Sequence, residues 1–142
     1  LAMADTVLDL SAEQVPRLRT GSKPTPTLPL YAPSGGYYST VADLLTLLDA
    51  HLTAGPGSAY QLVQQQTTGF RDGPAAMGLG WIVDPLPGSG TTVLWHNGSL
   101  PGYRSYLGFV PDTGIAVAVL TNTEDPVTDL GVEILRRLAS DS

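Results

Sequence analysis

From Met77 onward the chain alternates short apolar runs with turn residues, and this spacing leaves few folds open. Leu79-Gly80-Trp81-Ile82-Val83 reads as one strand, and Thr91 to Trp95 as the next, after the Pro/Gly-rich stretch Pro85 to Gly90. Ser105 to Val110 and Ile115 to Thr121 follow, joined by Pro111-Asp112-Thr113-Gly114, which has the composition of a hairpin turn. Asp125 is the expected N-cap of a last helix, with Pro126 at its first position. Val127, Leu130, Ile134, Leu135 and Leu138 form the apolar face expected of that helix. Strands in succession followed by a helix predict an antiparallel sheet with helices on one or both faces.

Upstream, the period is helical. Val41, Leu44, Leu45, Leu48 and Leu52 fall on one stripe. Thr40 with Asp43 is a start signal, and Gly55-Pro56-Gly57 stops the helix. Ser58 to Gln66 is expected to form a second short helix with Tyr60 and Val63 facing in. Ser11 to Arg19 has a capping-box pattern in Ser11 and Gln14, shortened by Pro16. Thr20 to Pro33 carries Pro24, Pro26, Pro29 and Pro33, and should be an irregular surface connection. The expected organisation is one portion of an α+β domain. Residues 1–76 are its helical and loop part, and residues 77–142 its sheet plus C-terminal helix.

Composition narrows the function classes. A chain of 142 residues is one domain or part of one. Hydrophobic residues make up 42% and charged residues only 14%, enough for a core but sparse for a fully exposed surface. Part of the surface is therefore expected to be covered. The net charge of -6, with seven scattered basic residues, argues against nucleic acid and anionic membrane surfaces as partners. The absence of cysteine removes disulfides, thiolate metal sites and a cysteine nucleophile. No apolar run approaches the ~18 residues of a membrane span. The opening Leu1-Ala2-Met3-Ala4-Asp5 has no basic start of a secretory signal, and Leu1 in place of Met is what a piece of a longer product would show.

Metal binding has no pattern here, since His51 and His96 lie 45 positions apart without carboxylates beside them. His51, near the stripe of the long helix, is expected to be structural. Gly88-Ser89-Gly90 and Gly78-Leu79-Gly80 do not sit between a strand and a helix, as a phosphate loop requires. None of the 13 acids belongs to an evident cleft motif. Trp81 and Trp95 are expected to anchor the core.

His96 has a richer context. Trp95-His96-Asn97-Gly98-Ser99-Leu100-Pro101-Gly102-Tyr103 places one of two histidines and two glycines between apolar runs. A His-x-Gly at a sheet edge can line an active site. Its glycine lets a substrate approach the backbone, and the next amide can point at a developing oxyanion. The plainer alternative is a strand-end histidine beside a turn. Three further segments change the balance: Pro33-Ser34-Gly35-Gly36-Tyr37-Tyr38-Ser39-Thr40-Val41-Ala42-Asp43-Leu44, then Gly78-Leu79-Gly80-Trp81, and finally Val117 to Asn122.

In this order the segments resemble the C-terminal part of serine β-lactamase-like hydrolases, which include class C β-lactamases, D-alanyl-D-alanine carboxypeptidases and related esterases. The opening Leu1-Ala2-Met3-Ala4-Asp5-Thr6 is similar to the segment that follows the family's second motif. The resemblance implies an incomplete β-lactamase/transpeptidase-like fold and acyl transfer from an amide or ester to serine, then to water. It implies no metal and no organic cofactor. The family uses S-x-x-K, Tyr-x-Asn and a Lys-Thr-Gly or His-x-Gly strand. Only the third maps here. By resemblance His96 takes the place of that lysine or histidine, Gly98 leaves room for the acyl group, and the Ser99 N–H is an oxyanion donor. Asn97 and Tyr103 would border the substrate.

The first two motifs are missing. The one lysine, Lys23, has Thr20 three residues before it, in a Pro-rich stretch, and no tyrosine is followed two positions later by Asn. The expectation is thus the C-terminal portion of a serine acyl hydrolase, inactive alone and completed by its N-terminal portion or by self-association. The competing expectation is a non-catalytic binding module that reuses the fold.

Overall fold

A computed structural model describes residues 3–8, 32–65 and 67–141; the expected Ser11 to Arg19 helix, Lys23 and residues 20–31 lie outside them. At the start, β1 (Val7–Leu8) pairs antiparallel with β2 (Tyr37–Tyr38), and between them in sequence lies the short α1 (Ala32–Gly35). The long α2 spans Val41–Leu52 and is followed by α3, Ala59–Gln65. Thr40 sits at the N-cap of α2 in an extended conformation, and its hydroxyl accepts from the Asp43 N–H at 3.2 Å. The expected start signal therefore operates as read. Asp43 does more than start a helix. Its buried carboxylate accepts from the Asp5 N–H at 2.9 Å and from the Thr6 hydroxyl at 2.7 Å. An anion in the first turn is favoured by the helix dipole, and here it ties the chain before β1 to α2.

The main sheet is antiparallel and runs in sequence order. It contains β3 (Thr67–Asp72), β4 (Ala75–Gly78), β5 (Ile82–Pro85), β6 (Thr92–Leu100), β7 (Tyr103–Val110) and β8 (Ile115–Thr121). It begins earlier than the periodicity predicts, at Thr67. The expected strand from Leu79 to Val83 is divided. Gly80 adopts a positive φ of 83°, and the Gly78 N–H donates to the Trp81 carbonyl at 2.7 Å, so residues 79–81 are a tight turn between β4 and β5.

Each face of the sheet buries its own core. On one face Leu48 of α2 packs with Trp81, Leu94 and Phe109. His51 joins them as expected, buried, with its ring 5.1 Å from both Trp81 and Phe109 and 4.9 Å from Tyr60 of α3. Val63 packs on the same cluster. Val41 and Leu45, expected on the buried stripe, are instead 41% and 43% exposed, because the helix presents Leu48 and His51 to the sheet. On the other face α4 (Thr128–Ser140) covers Val93, Tyr106, Val110 and Val117 with Val127 and Leu135.

The last helix also corrects two expectations. It begins at Thr128 with Val127 at its cap position and no side-chain capping bond. Asp125 accepts from the Thr123 hydroxyl at 2.9 Å instead of capping the helix. Leu130 and Leu138 are 52% and 44% exposed, since the stripe that meets the sheet is Val127, Gly131 and Leu135.

Candidate active site

β6 outruns its neighbour. β5 pairs with β6 only from Pro85↔Thr92 to Ile82↔Trp95, whereas β7 pairs along β6 from Leu94 to Leu100. Among the described residues, His96 to Leu100 therefore have β7 on one side and no strand on the other, a free edge. Along such an edge alternate residues direct N–H and C=O groups away from the sheet. The sequence predicted a strand ending at Trp95. The observed strand carries the whole His96-Asn97-Gly98-Ser99 run in extended conformation.

Register sorts these side chains by face. Leu94↔Phe109, His96↔Leu107, Gly98↔Ser105 and Leu100↔Tyr103 share the face that α2 covers. Asn97↔Tyr106 and Ser99↔Arg104 lie on the face of α4. The Asn97 amide accordingly donates to the Thr128 hydroxyl of α4 at 3.1 Å. Of the predicted residues, the strand thus brings His96, Gly98 and Tyr103 to one face. The side chains of Asn97 and Ser99 go to the other.

His96 is exposed, with Nδ1 2.7 Å from the Asn97 carbonyl oxygen. A carbonyl only accepts, so Nδ1 is the donor, and in the neutral imidazole this leaves Nε2 as an acceptor. Gly98 has a strict steric reason to be glycine: a Cβ there would overlap Ser105 Oγ. The space that the resemblance gives to an acyl group is bordered on this face by a serine hydroxyl. At the far end, the Tyr103 ring meets Tyr38 edge-on at 6.4 Å, and Gly35 lies against Leu100. Burial first, and the neighbouring Tyr38 second, push the Tyr103 hydroxyl pKa up.

The β6–β7 turn is Pro101-Gly102, with Gly102 at φ 82°, a conformation that glycine reaches without strain. Its N–H donates to Glu124 at 3.0 Å. The Arg104 guanidinium donates to the Leu100 and Tyr103 carbonyls at 2.7 and 2.8 Å and lies 3.6 Å from Glu124. The tip of the hairpin is thereby held rigid beside the free edge. Sequence reasoning missed Ser105, Arg104 and Glu124. Gly-x-x-x-Gly-Tyr-x-Ser gives no local sign of which residues pair across strands, and Glu124 stands in a loop without a motif.

No group of three or more His, Cys, Asp or Glu side chains suited to a metal occurs among the described residues. No described helix is long and apolar enough to cross a membrane. A groove of about 380 Å³, lined by Phe70, Asp72, Met77, Ile82, Asp84 and Trp95, opens on the face of α4. It lies across the sheet from His96. Trp95 is its wall and stacks on Tyr106 at 5.9 Å, whereas Trp81 is an interior anchor, as expected.

The chain belongs to the β-lactamase family, whose family model matches residues 1–141. It is 31% identical to penicillin-binding protein 4 of Amycolatopsis lactamdurans, in a match covering 86% of this chain and 37% of that protein. Among solved structures it is similar to a D-alanine carboxypeptidase from Burkholderia cenocepacia, at TM-score 0.76 and 20% identity, over 99% of this chain and 51% of that one. A D-amino acid amidase from Ochrobactrum anthropi aligns with TM-score 0.68 and 22% identity, over 100% of this chain and 50% of that one. The fold is that of the β-lactamases, and the chain spans about half the length of these solved relatives or less of the curated one.

Proposed function

We propose that the chain is the C-terminal portion of a serine acyl hydrolase acting on a β-lactam, a D-amino-acid peptide or an ester through an acyl-serine. The observation that carries this reading is the free edge of β6, with His96 and Gly98 on one face, in a chain matched by the family from residue 1 to 141. The acyl group lies along this edge. The Ser99 N–H is one oxyanion donor, a contribution of ~3–4 kcal/mol to the transition state. His96 hydrogen-bonds the substrate or the proton relay through Nε2. The S-x-x-K serine and lysine and the Tyr-x-Asn pair, absent from these 142 residues, come from the other portion.

The far edge of the sheet supports the same reading. β8 pairs with β7 and, among the described residues, with nothing beyond. Ile115-Ala116-Val117-Ala118-Val119-Leu120-Thr121 has neither charge nor proline, the usual guards of an exposed edge. It is suited to being covered by the N-terminal portion or a second copy.

The test compares two purified proteins on a chromogenic cephalosporin and a p-nitrophenyl ester. The 142-residue chain should turn over neither, while the longer gene product should hydrolyse at least one and lose that activity with His96→Ala. Turnover by the short chain that disappears with His96→Ala would show a nucleophile within it. A longer product that lacks S-x-x-K favours the non-catalytic module.

A further inference from the structure

Two polar groups on the site face have no hydrogen-bond partner among the described residues: His96 Nε2 and Ser105 Oγ. The imidazole's other nitrogen is committed to the Asn97 carbonyl at 2.7 Å, which leaves Nε2 an acceptor in want of a donor. The Ser105 hydroxyl, half-buried on β7, is a donor in want of an acceptor. Register sets them side by side. His96 pairs with Leu107 and Gly98 with Ser105, so His96 and Ser105 are diagonal neighbours on one face. The position next to His96 on this face of β6 is Gly98, which carries no side chain and where a Cβ would overlap Ser105 Oγ. The row beyond, Leu100↔Tyr103, is closed by Gly35 and Tyr38. The row before, Leu94↔Phe109, is buried under Leu48 and Trp81. The gap between the imidazole and the hydroxyl is therefore a polar floor of limited length, bounded by apolar rows at both ends.

We propose that Ser105 is a substrate-binding residue of this site, its hydroxyl and His96 Nε2 holding the same polar group of the substrate from two sides. The group that fits is one that can accept from the serine and donate to the imidazole. A hydroxyl or a water next to the scissile carbonyl, such as the attacking water, has both capacities. This assignment rests on the reading of the β6 edge as the acyl-binding edge. It adds that Gly98 is required by Ser105, and that the floor of the site is a hydroxyl where the motif alone suggests empty space.

The experiment uses the longer gene product with the chromogenic cephalosporin and the p-nitrophenyl ester. Ser105→Ala should lower kcat/KM about 5- to 10-fold, the range set by loss of one hydrogen bond, with an unchanged Tm. Ser105→Thr, which keeps the hydroxyl, should retain most of the rate. In a His96→Ala background, Ser105→Ala should add little, because both groups serve one substrate atom. Unchanged kcat and KM in Ser105→Ala, with His96→Ala impaired, would overturn the assignment and leave the edge reading intact. A loss that tracks a lower Tm, or that persists in full in the His96→Ala background, would equally overturn it. Wild-type rates in both single variants, or no turnover at all, would remove the edge reading together with it.

Discussion

Gly131 sets helix propensity against packing, and the two predict opposite signs. It lies inside α4, where replacing glycine by alanine ordinarily stabilises a helix by about 1 kcal/mol. The structure predicts the reverse for Gly131→Ala. A Cβ at this position would overlap Tyr106 Cδ1 and lie 2.5 Å from Cε1 and 2.6 Å from Cγ. The ring has nowhere to retreat. It stacks on Trp95, and its hydroxyl lies 2.6 Å from where a Gly108 Cβ would stand. Leu135 Cδ1 approaches that same Gly108 position at 2.8 Å, so the helix and the ring are locked around two glycines. Forcing a methyl into such a contact costs roughly 3 kcal/mol, the upper end of the usual overpacking range. Subtracting the propensity gain leaves a net loss of about 2 kcal/mol, or a Tm lower by about 8 °C for a domain of this size. Thermal and urea unfolding of the purified protein measure it, with the m-value as a check that the denatured state is unchanged. A second variant, Tyr106→Leu, should recover part of the loss when combined with Gly131→Ala. If Gly131→Ala is neutral or stabilising, propensity governs α4 and the ring is not held where the structure places it.

Tyr106→Phe should hold or raise stability, by about 1 kcal/mol, because the fully buried Tyr106 hydroxyl has no partner among the described residues and an unsatisfied buried group is a net cost. Differential scanning calorimetry would contradict this with a Tm lowered by several degrees. Burial lowers the His51 pKa, and Nδ1 accepts from Gln64 at 3.2 Å, so the fold disfavours the protonated imidazole. The unfolded chain binds its proton more readily, near the ordinary pKa of about 6.5. Stability from this group is therefore complete above that pH and falls as the pH drops below it, towards the depressed folded value. Urea midpoints measured from pH 8 to pH 5 should decline, and His51→Gln should flatten the decline. An equal decline in His51→Gln would assign it to other groups.

Much of this architecture is legible in the chain because its signals are local. Thr40 and Asp43 mark a helix start by chemistry between residues three apart, and the Pro111 to Gly114 hairpin by turn composition. What escaped depends on pairing or volume. β3 hides because its ladder with β4 shifts register between Thr67 and Arg71, and Gly69, at φ 81°, breaks the two-residue period there. The buried stripe of α4 runs through Gly131, which carries no hydrophobic signal, so reading large apolar residues chose Leu130 and Leu138 instead. In the site, the His-x-Gly of β6 is a one-dimensional motif. Its partner Ser105 is defined only by cross-strand register.

The unpaired stretch of β6 begins where the turn before β5 ends. β5 would continue alongside His96 if Trp81 extended the strand by one residue. Trp81 instead drives its ring against His51 and Phe109 at 5.1 and 5.0 Å, and its carbonyl closes the turn onto the Gly78 N–H. The turn closed at Gly80 and Trp81 therefore begins β5 at Ile82, and among the described residues no strand pairs with residues 96–100 on that side. Trp81 thus serves both parts of the fold, its ring in the core under α2 and its carbonyl in the turn that precedes the unpaired stretch of β6.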